Sequence, residues 1–132
     1  TGTVLENIVA GRNGIRENDI HEVCFSMGLL DQVRDLPRGL LTPLDPQGAR
    51  LPKSLVMRIV LARAIIGSPR MVLIEDAMRD WELGERERLL SWVCHPDRPW
   101  TLLIVSNDPW VSGLCDRTIT LRSGRLESQD HA

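Results

Sequence analysis

Apolar and polar positions alternate along this chain with periods that change from segment to segment. In "ENDIHEVCFSMGLLDQVRDLP" the residues Ile20, Val23, Met27 and Leu30 recur at helical spacing, and Asn18 or Asp19 is placed to cap the start. Pro37 and Gly39 end that helical region, and the Pro/Gly-rich "PRGLLTPLDPQGAR" follows as a loop. Pro52 then stands at a natural first-turn position for a long helix, "PKSLVMRIVLARAII", which "GSP" stops at Gly67–Pro69. "RMVLIED" and "WTLLIVS" are continuous apolar runs of strand length, and both predict fully buried strands. Between them, "WELGERERLLSWVC" predicts an amphipathic helix with Leu83, Leu89, Leu90 and Val93 on its inner side. "DRTITLRSGRLES" predicts a β-hairpin turning at Ser123-Gly124. The opening "TGTVLENIVAG" reads as a short β-prone run and a polar turn.

Strand, helix, strand is the βαβ unit of a parallel sheet covered on both faces, so the expected fold class is α/β. In such sheets ligands gather at the C-terminal ends of the strands. Glu75, Asp76, Ser106, Asn107 and Asp108 all fall there.

Composition narrows the picture further. The 132 residues suit one domain or a large piece of one, and 42% hydrophobic with 26% charged residues is ordinary for a globular chain. A net charge of −2 gives no electrostatic footprint for nucleic acid, and the four Trp and one Phe do not interleave with basic residues. Of sixteen Lys and Arg, Lys53 alone is lysine. Cys24, Cys94 and Cys115 form no C-x-x-C pair, so neither a zinc site nor a disulfide framework is expected. His95, beside Cys94, has nothing to orient it as a base and reads as a loop histidine. No apolar run is long enough to cross a bilayer, and no signal peptide opens the chain. The chain begins without methionine, amid what reads as structured sequence, and is expected to be a piece of a longer protein.

The ordered set of segments resembles the nucleotide-binding domain of ATP-binding cassette transporters, in particular the exporters. "GTVLENI" is similar to the stretch after the exporters' Q-loop, and "LPRGLLTPLDPQGARL" to the loop leading into their signature motif. "LPKSLVMRIVLARAII" resembles the LSGGQ helix with its trailing A-R-A, "SPRMVLIEDA" the Walker B strand, and "TLLIVSND" the strand ending in the H-loop histidine. The resemblance spans nearly the whole chain and implies the C-terminal part of a P-loop NTPase fold: parallel strands with flanking helices, a helical subdomain and a C-terminal β-hairpin. It divides the chain into residues 1–50, a partial helical subdomain, and residues 51–132, the signature helix, Walker B, D-loop and H-loop part of the ATP-binding core. No G-x-x-x-x-G-K-[ST] occurs in these residues, and Lys53 is in the wrong context for a P-loop lysine. Without that phosphate cradle this chain alone is not expected to bind ATP tightly.

Site roles follow from the resemblance residue by residue, together with departures from the family pattern. The Walker B pair, Asp then Glu in the family, is Glu75 then Asp76 here: Glu75 would hold Mg2+ through water in the complete domain, and Asp76 takes the catalytic position. The alternative register would bury a charge one step inside the strand. Exchanging the acids displaces each carboxylate by about one methylene, and ~1 Å of misplacement can cost roughly a hundredfold in rate. The signature segment is Leu51, Pro52, Lys53, Ser54 and Leu55. Pro52 removes a hydroxyl and an N–H, and Lys53 and Ser54 put side chains where glycine would let the backbone approach phosphate. Asn107 stands where the H-loop histidine would be; it can donate a hydrogen bond but carries no charge. The D-loop appears as Arg79, Asp80, Trp81 and Glu82, with Trp81 either an interface anchor or tucked against its own helix.

The leading expectation is thus a nucleotide-binding segment of a membrane exporter, at the cytoplasmic face, using ATP and Mg2+, partnered by a transmembrane domain and a second nucleotide-binding domain, with impaired hydrolysis and no nucleic-acid partner. A regulatory or protein-interaction module on the same fold stays open. So does an unrelated α/β enzyme using Glu75 and Asp76 as acid and base. A parallel sheet lacking its Walker A strand is also expected to present an open edge and apolar surface, covered by self-association or rearrangement.

Overall fold

A computed structural model describes residues 2–44, 51–75, 78 and 81–131. The chain divides into two compact units, Thr1–Val72 with Pro99–Thr101, and Leu73–Arg98 with Leu102–Ala132.

In the first unit, β1 (Gly2–Thr3) pairs antiparallel with β2 (Pro43–Leu44) and leads directly into helix α1 (Val4–Val9). A capping box starts α1: the Thr3 hydroxyl accepts from the Glu6 N–H at 3.2 Å, and the Glu6 carboxylate accepts from the Thr3 N–H at 2.7 Å. Val4 and Ile8, one turn apart, are fully buried. The region expected to be a polar turn after a strand is therefore a helix, because the threonine and glutamate at N-cap and N3 satisfy its first donors.

The long helical region is two helices, α2 (Glu17–Ser26) and α3 (Leu29–Arg34), broken at Gly28. Contrary to expectation, neither Asn18 nor Asp19 is the cap of α2: the N-cap is Arg16, without a side-chain cap bond, and Asp19 lies inside the first turn, its carboxylate accepting the Arg16 N–H at 3.0 Å. The break rotates the buried face. Val23, Cys24 and Met27 are buried before it, and Leu29 and Val33 after it, whereas Ile20 and Leu30 are only half-buried.

Helix α4 (Lys53–Ile65) is the centre of this unit, packed against α1, α2 and α3. Leu55, Ile59, Ala62 and Ile65 form its inward stripe. Two arginines fix it in place. Arg58, 5% exposed, donates through Nη1 to the Met27 carbonyl at the α2–α3 break. Arg63 grips α1, Nε donating to the Asn7 carbonyl at 2.6 Å and Nη2 to its side-chain oxygen at 2.9 Å.

Strands β3 (Met71–Glu75) and β4 (Thr101–Val105) are parallel neighbours in one two-stranded sheet, and the Thr101 N–H donates to the Arg70 carbonyl at 2.9 Å. Neither strand is fully buried, contrary to expectation. Val72 and Ile74 are inside, while Leu73 is 66% and Val105 58% exposed. Both strands are apolar on each side, but among the described residues only one face is covered, so burial alternates at the strand period of two. Continuous hydrophobicity shows what each side chain favours and cannot show whether both faces have cover.

In the second unit, helix α5 (Leu83–Val93) buries Leu89, Leu90 and Val93 as expected. Leu83 is not on the inner side: it is 62% exposed, and the inward position of the first turns belongs to Arg86. A short helix, α6 (Pro109–Ser112), follows β4. The hairpin is where the sequence put it, with β5 (Arg117–Arg122) and β6 (Arg125–His131) antiparallel around Ser123 and Gly124. Their φ values of 49° and 75° are the paired positive angles of a type I′ turn, whose twist matches the strands it joins.

Candidate functional site

Parallel strands end on the same rim of a sheet, so the C-termini of β3 and β4 bring Glu75 and the Ser106–Asp108 turn to one side. Glu75 is exposed at the end of β3. Asp76, Arg79 and Asp80 lie outside the described residues. Met78 is fully buried and its carbonyl accepts from the Trp81 N–H at 3.1 Å, with the Trp81 side chain half-buried. Glu82 is exposed and caps α5, its two oxygens accepting from the N–H groups of Gly84 at 3.2 Å and Glu85 at 3.0 Å.

After β4, Asn107 is exposed between two anchored neighbours. The Ser106 hydroxyl accepts from the Asp108 N–H at 3.1 Å. One Asp108 oxygen accepts from the Trp110 N–H at 2.9 Å, and the other from Arg86 Nη2 at 2.7 Å. The Trp110 N–H first, then the Arg86 guanidinium, hold the Asp108 carboxyl below the usual carboxylate range. The residue type of Arg86 alone marks no site. Its spacing gave a signal, since 86, 89, 90 and 93 lie on one helix face and a charge on a buried face calls for a partner.

The signature segment belongs to the first unit. Pro52 takes the N-cap position of α4, and its carbonyl accepts from the N–H groups of Leu55 at 3.0 Å and Val56 at 3.1 Å. Leu55 is 1% exposed and points into the core, Leu51 and Ser54 are half-buried, and Pro52 and Lys53 are exposed. The surface this segment offers is therefore mainly Pro52 and Lys53, with part of Leu51 and Ser54.

The thiols are poor nucleophiles: burial pushes Cys24 and Cys94 up to about 11, Cys94 with a further contribution from Cys115. Among the described residues, no group of three or more His, Cys, Asp or Glu could hold a metal ion. No helix among them is long and apolar enough to cross a membrane.

Comparison with known proteins supplies the context for this rim. No family model matches the chain. A Rickettsia bellii protein named as an export ATP-binding/permease protein is 32% identical over 91 residues, covering 69% of this chain and 16% of that protein. The ABC-type transporter kk1G of Curvularia clavata is 30% identical over 135 residues, covering 98% of this chain and 10% of that protein. The chain thus spans a small part of the length of the relatives it matches. Among solved structures, a bacterial Atm1-family ABC exporter with ATP bound superposes with a TM-score of 0.86 at 22% identity, over 98% of this chain and 23% of the exporter chain. That likeness establishes the fold as α/β of the P-loop NTPase type. The relatives and the ordered motifs together identify the chain as a member of the ATP-binding cassette transporter family, a nucleotide-binding-domain segment of its exporter branch with altered motifs.

Proposed function

We propose that this segment serves in an ATP-driven exporter, where nucleotide binding closes a head-to-tail pair of nucleotide-binding domains at the cytoplasmic face of a membrane, and that hydrolysis there is slow or absent. The observation that carries the reading is the pair of parallel strands ending at Glu75 and at Val105, just before Ser106 and Asn107, in a chain whose likeness to an exporter covers 98% of its length. In this reading residues 1–50 form the helical subdomain beside the transmembrane domain, and residues 51–132 belong to the ATP-binding core. Trp81 and Glu82 face the second nucleotide-binding domain in this reading; Arg79 and Asp80, the other two positions of the D-loop in the sequence, lie outside the described residues.

The donor chemistry at the rim fits MgATP. Glu75 offers an exposed carboxylate that would hold magnesium through water, in keeping with the reluctance of that ion to shed its hydration. A dedicated protein cage is not what such a site uses. Magnesium, when bound, neutralises phosphate charge; Asn107 offers an uncharged amide N–H to a terminal phosphate. Pro52, Lys53 and Ser54 would face the nucleotide of the partner domain, with the Lys53 ammonium in place of backbone donors.

Hydrolysis is impaired in this reading for three separable reasons: the acids are exchanged, the histidine is Asn107, and the signature serine is Pro52. In the complete protein, a fluorescent ATP analogue is expected to bind saturably while turnover stays low. The variant E75D/D76E/N107H is expected to raise turnover by at least ~10-fold, part of the roughly hundredfold that ~1 Å of misplacement costs. Rapid magnesium-dependent turnover by the unaltered protein would refute the impairment. Absence of any saturable binding would leave the protein-interaction module as the better reading.

A further inference from the structure

Arg86 occupies a position that an apolar residue would fill on packing grounds alone, facing inward from α5 beside Leu89 and Leu90 at 9% exposure. Its partner is Asp108, at 2.7 Å, with the two side chains 11% and 29% exposed. A surface ion pair contributes little, but removing one member of a pair withdrawn from water leaves the other charge poorly solvated. The guanidinium is also directional, its planar fork fixing where a carboxylate sits in a way an ammonium does not.

What Asp108 holds is the turn carrying Asn107. Its N–H reaches back to Ser106, one oxygen caps α6 through the Trp110 N–H, and the other meets Arg86. Asn107 therefore stands on an arch with both feet fastened, and one fastening runs to α5. The start of that same helix is held by Glu82. The Trp81–Glu82 segment and the Asn107 turn are thus attached to one rigid element less than two helical turns apart.

We propose that Arg86 is a positioning residue: acting through Asp108, it sets the orientation of Asn107 and ties it to the start of α5, so that a displacement at Trp81–Glu82 is passed to the Asn107 amide. The consequence for nucleotide rests on the ATP-binding reading above; the mechanical link does not.

The test uses the full-length protein containing this segment. Amide hydrogen exchange is followed by mass spectrometry over residues 106–112 in the unaltered protein, R86A, R86K, D108N and R86A/D108N. D108N keeps an acceptor for the Trp110 N–H and loses the charge that Arg86 meets. R86A is expected to speed exchange in 106–112 by about tenfold or more, with β4 and the second half of α5 changed far less, and R86K to recover part of the protection. In the D108N background R86A is expected to add little, because partners in one interaction do not contribute additively. Unchanged protection in R86A, or an R86A effect just as large in the D108N background, overturns the proposal. A second readout is the ratio of ATP to ADP affinity. R86A is expected to lower it toward the value of N107A, and R86A/N107A to fall no lower than N107A. If exchange behaves as expected but N107A leaves the ratio unchanged, the link between Arg86 and the turn stands and the assignment of Asn107 to nucleotide fails.

Discussion

Gly28 is the position where a single methyl group tests the packing of α4, the helix that carries Pro52, Lys53 and Ser54. Its φ is +62°, and a Cβ built there would lie 2.7 Å from Arg58 Nη1. Placing an L side chain in the left-handed region costs about 1–2 kcal/mol. On an open surface the tip of an arginine would swing aside at little further cost. Arg58 is buried and donates to the Met27 carbonyl, so moving its tip forfeits a charged hydrogen bond in the core, about 1.5–3 kcal/mol. Gly28→Ala is therefore expected to destabilise the α2–α3–α4 packing by roughly 2.5–5 kcal/mol. Gly124→Ala supplies the control, because φ there is +75° with nothing within 4 Å of the added carbon, leaving conformational strain alone. Native-state amide exchange over α3 and α4 reads the difference: a loss of about 3 kcal/mol speeds exchange more than a hundredfold. In an Arg58→Met background, Gly28→Ala should cost only its strain. Equal costs for Gly28→Ala and Gly124→Ala in the unaltered background would refute the claim that Arg58 is wedged against the helix break.

Three further outcomes follow from particular contacts. Glu82→Ala removes the acceptors for Gly84 and Glu85, and should destabilise α5 by about 1 kcal/mol, read as faster exchange in its first turn; Glu82→Asp should retain most of the cap. The folded-state pKa of Asp108 is depressed, so its contribution is complete above the ordinary carboxylate value of about 3.9 and is lost as pH falls through the folded value. Protection of residues 106–110 should accordingly persist at pH 5 and fail in stronger acid. Cys24 and Cys94 are raised to about 11, so their stabilising effect is whole below the free-thiol value and lost as pH climbs toward 11. At pH 8 each holds about a hundredfold less thiolate than an unperturbed thiol, and alkylation should be slow until the chain is unfolded.

The legible parts of the fold were those set by local chemistry. The hairpin could be placed from Ser123-Gly124 because only a few residue types accept two positive φ angles in succession. Helix α4 could be placed from Pro52 at its start and the Gly67–Pro69 stop beyond its end. The parts that the sequence hides are those set by distant partners. Leu83 satisfies helical periodicity, yet it is 62% exposed in the first turn of α5, and the first buried side chain of that helix is Arg86, which meets Asp108 twenty-two residues away. The α2–α3 break was hidden because Ile20, Val23, Met27 and Leu30 keep their period through Gly28, whereas the chain turns there over Arg58, thirty residues on. Likewise, the strands of the candidate site were legible in type and order, but not in how many of their faces the chain covers. Glu75 and Asn107 were placed correctly at strand ends because the parallel arrangement alone puts them there.

The composition carried a clue to those distant partners that only the structure makes readable. Lys53 is the single lysine among sixteen basic residues, and the arginines do work that a lysine could not replace. Arg58 joins α4 to the Met27 carbonyl, Arg63 joins it to both the backbone and side-chain oxygens of Asn7, and Arg86 joins α5 to Asp108. Arg98 donates to the Trp92 carbonyl while its guanidinium lies 3.9 Å from the centroid of that indole. Each case uses a flat, weakly hydrated cation with several fixed donors, able to enter a partly buried site, bond at more than one atom or stack on a ring. An ammonium loses more hydration on burial and directs its donors less. Arginine in this chain is thus a connector between the ends of elements, and its contacts fall at the α2–α3 break, along α1 and at the Asn107 turn. The same logic sets apart Lys53, exposed at the start of α4 and bearing the only basic side chain in the signature segment. A mobile point charge suits a transient anion better than a permanent internal brace. Lys53→Ala should therefore leave the stability of the α4 packing unchanged and, under the function proposed above, weaken MgATP-dependent pairing of nucleotide-binding domains in the full-length protein. A large loss of stability without any change in pairing would show Lys53 to be one more brace.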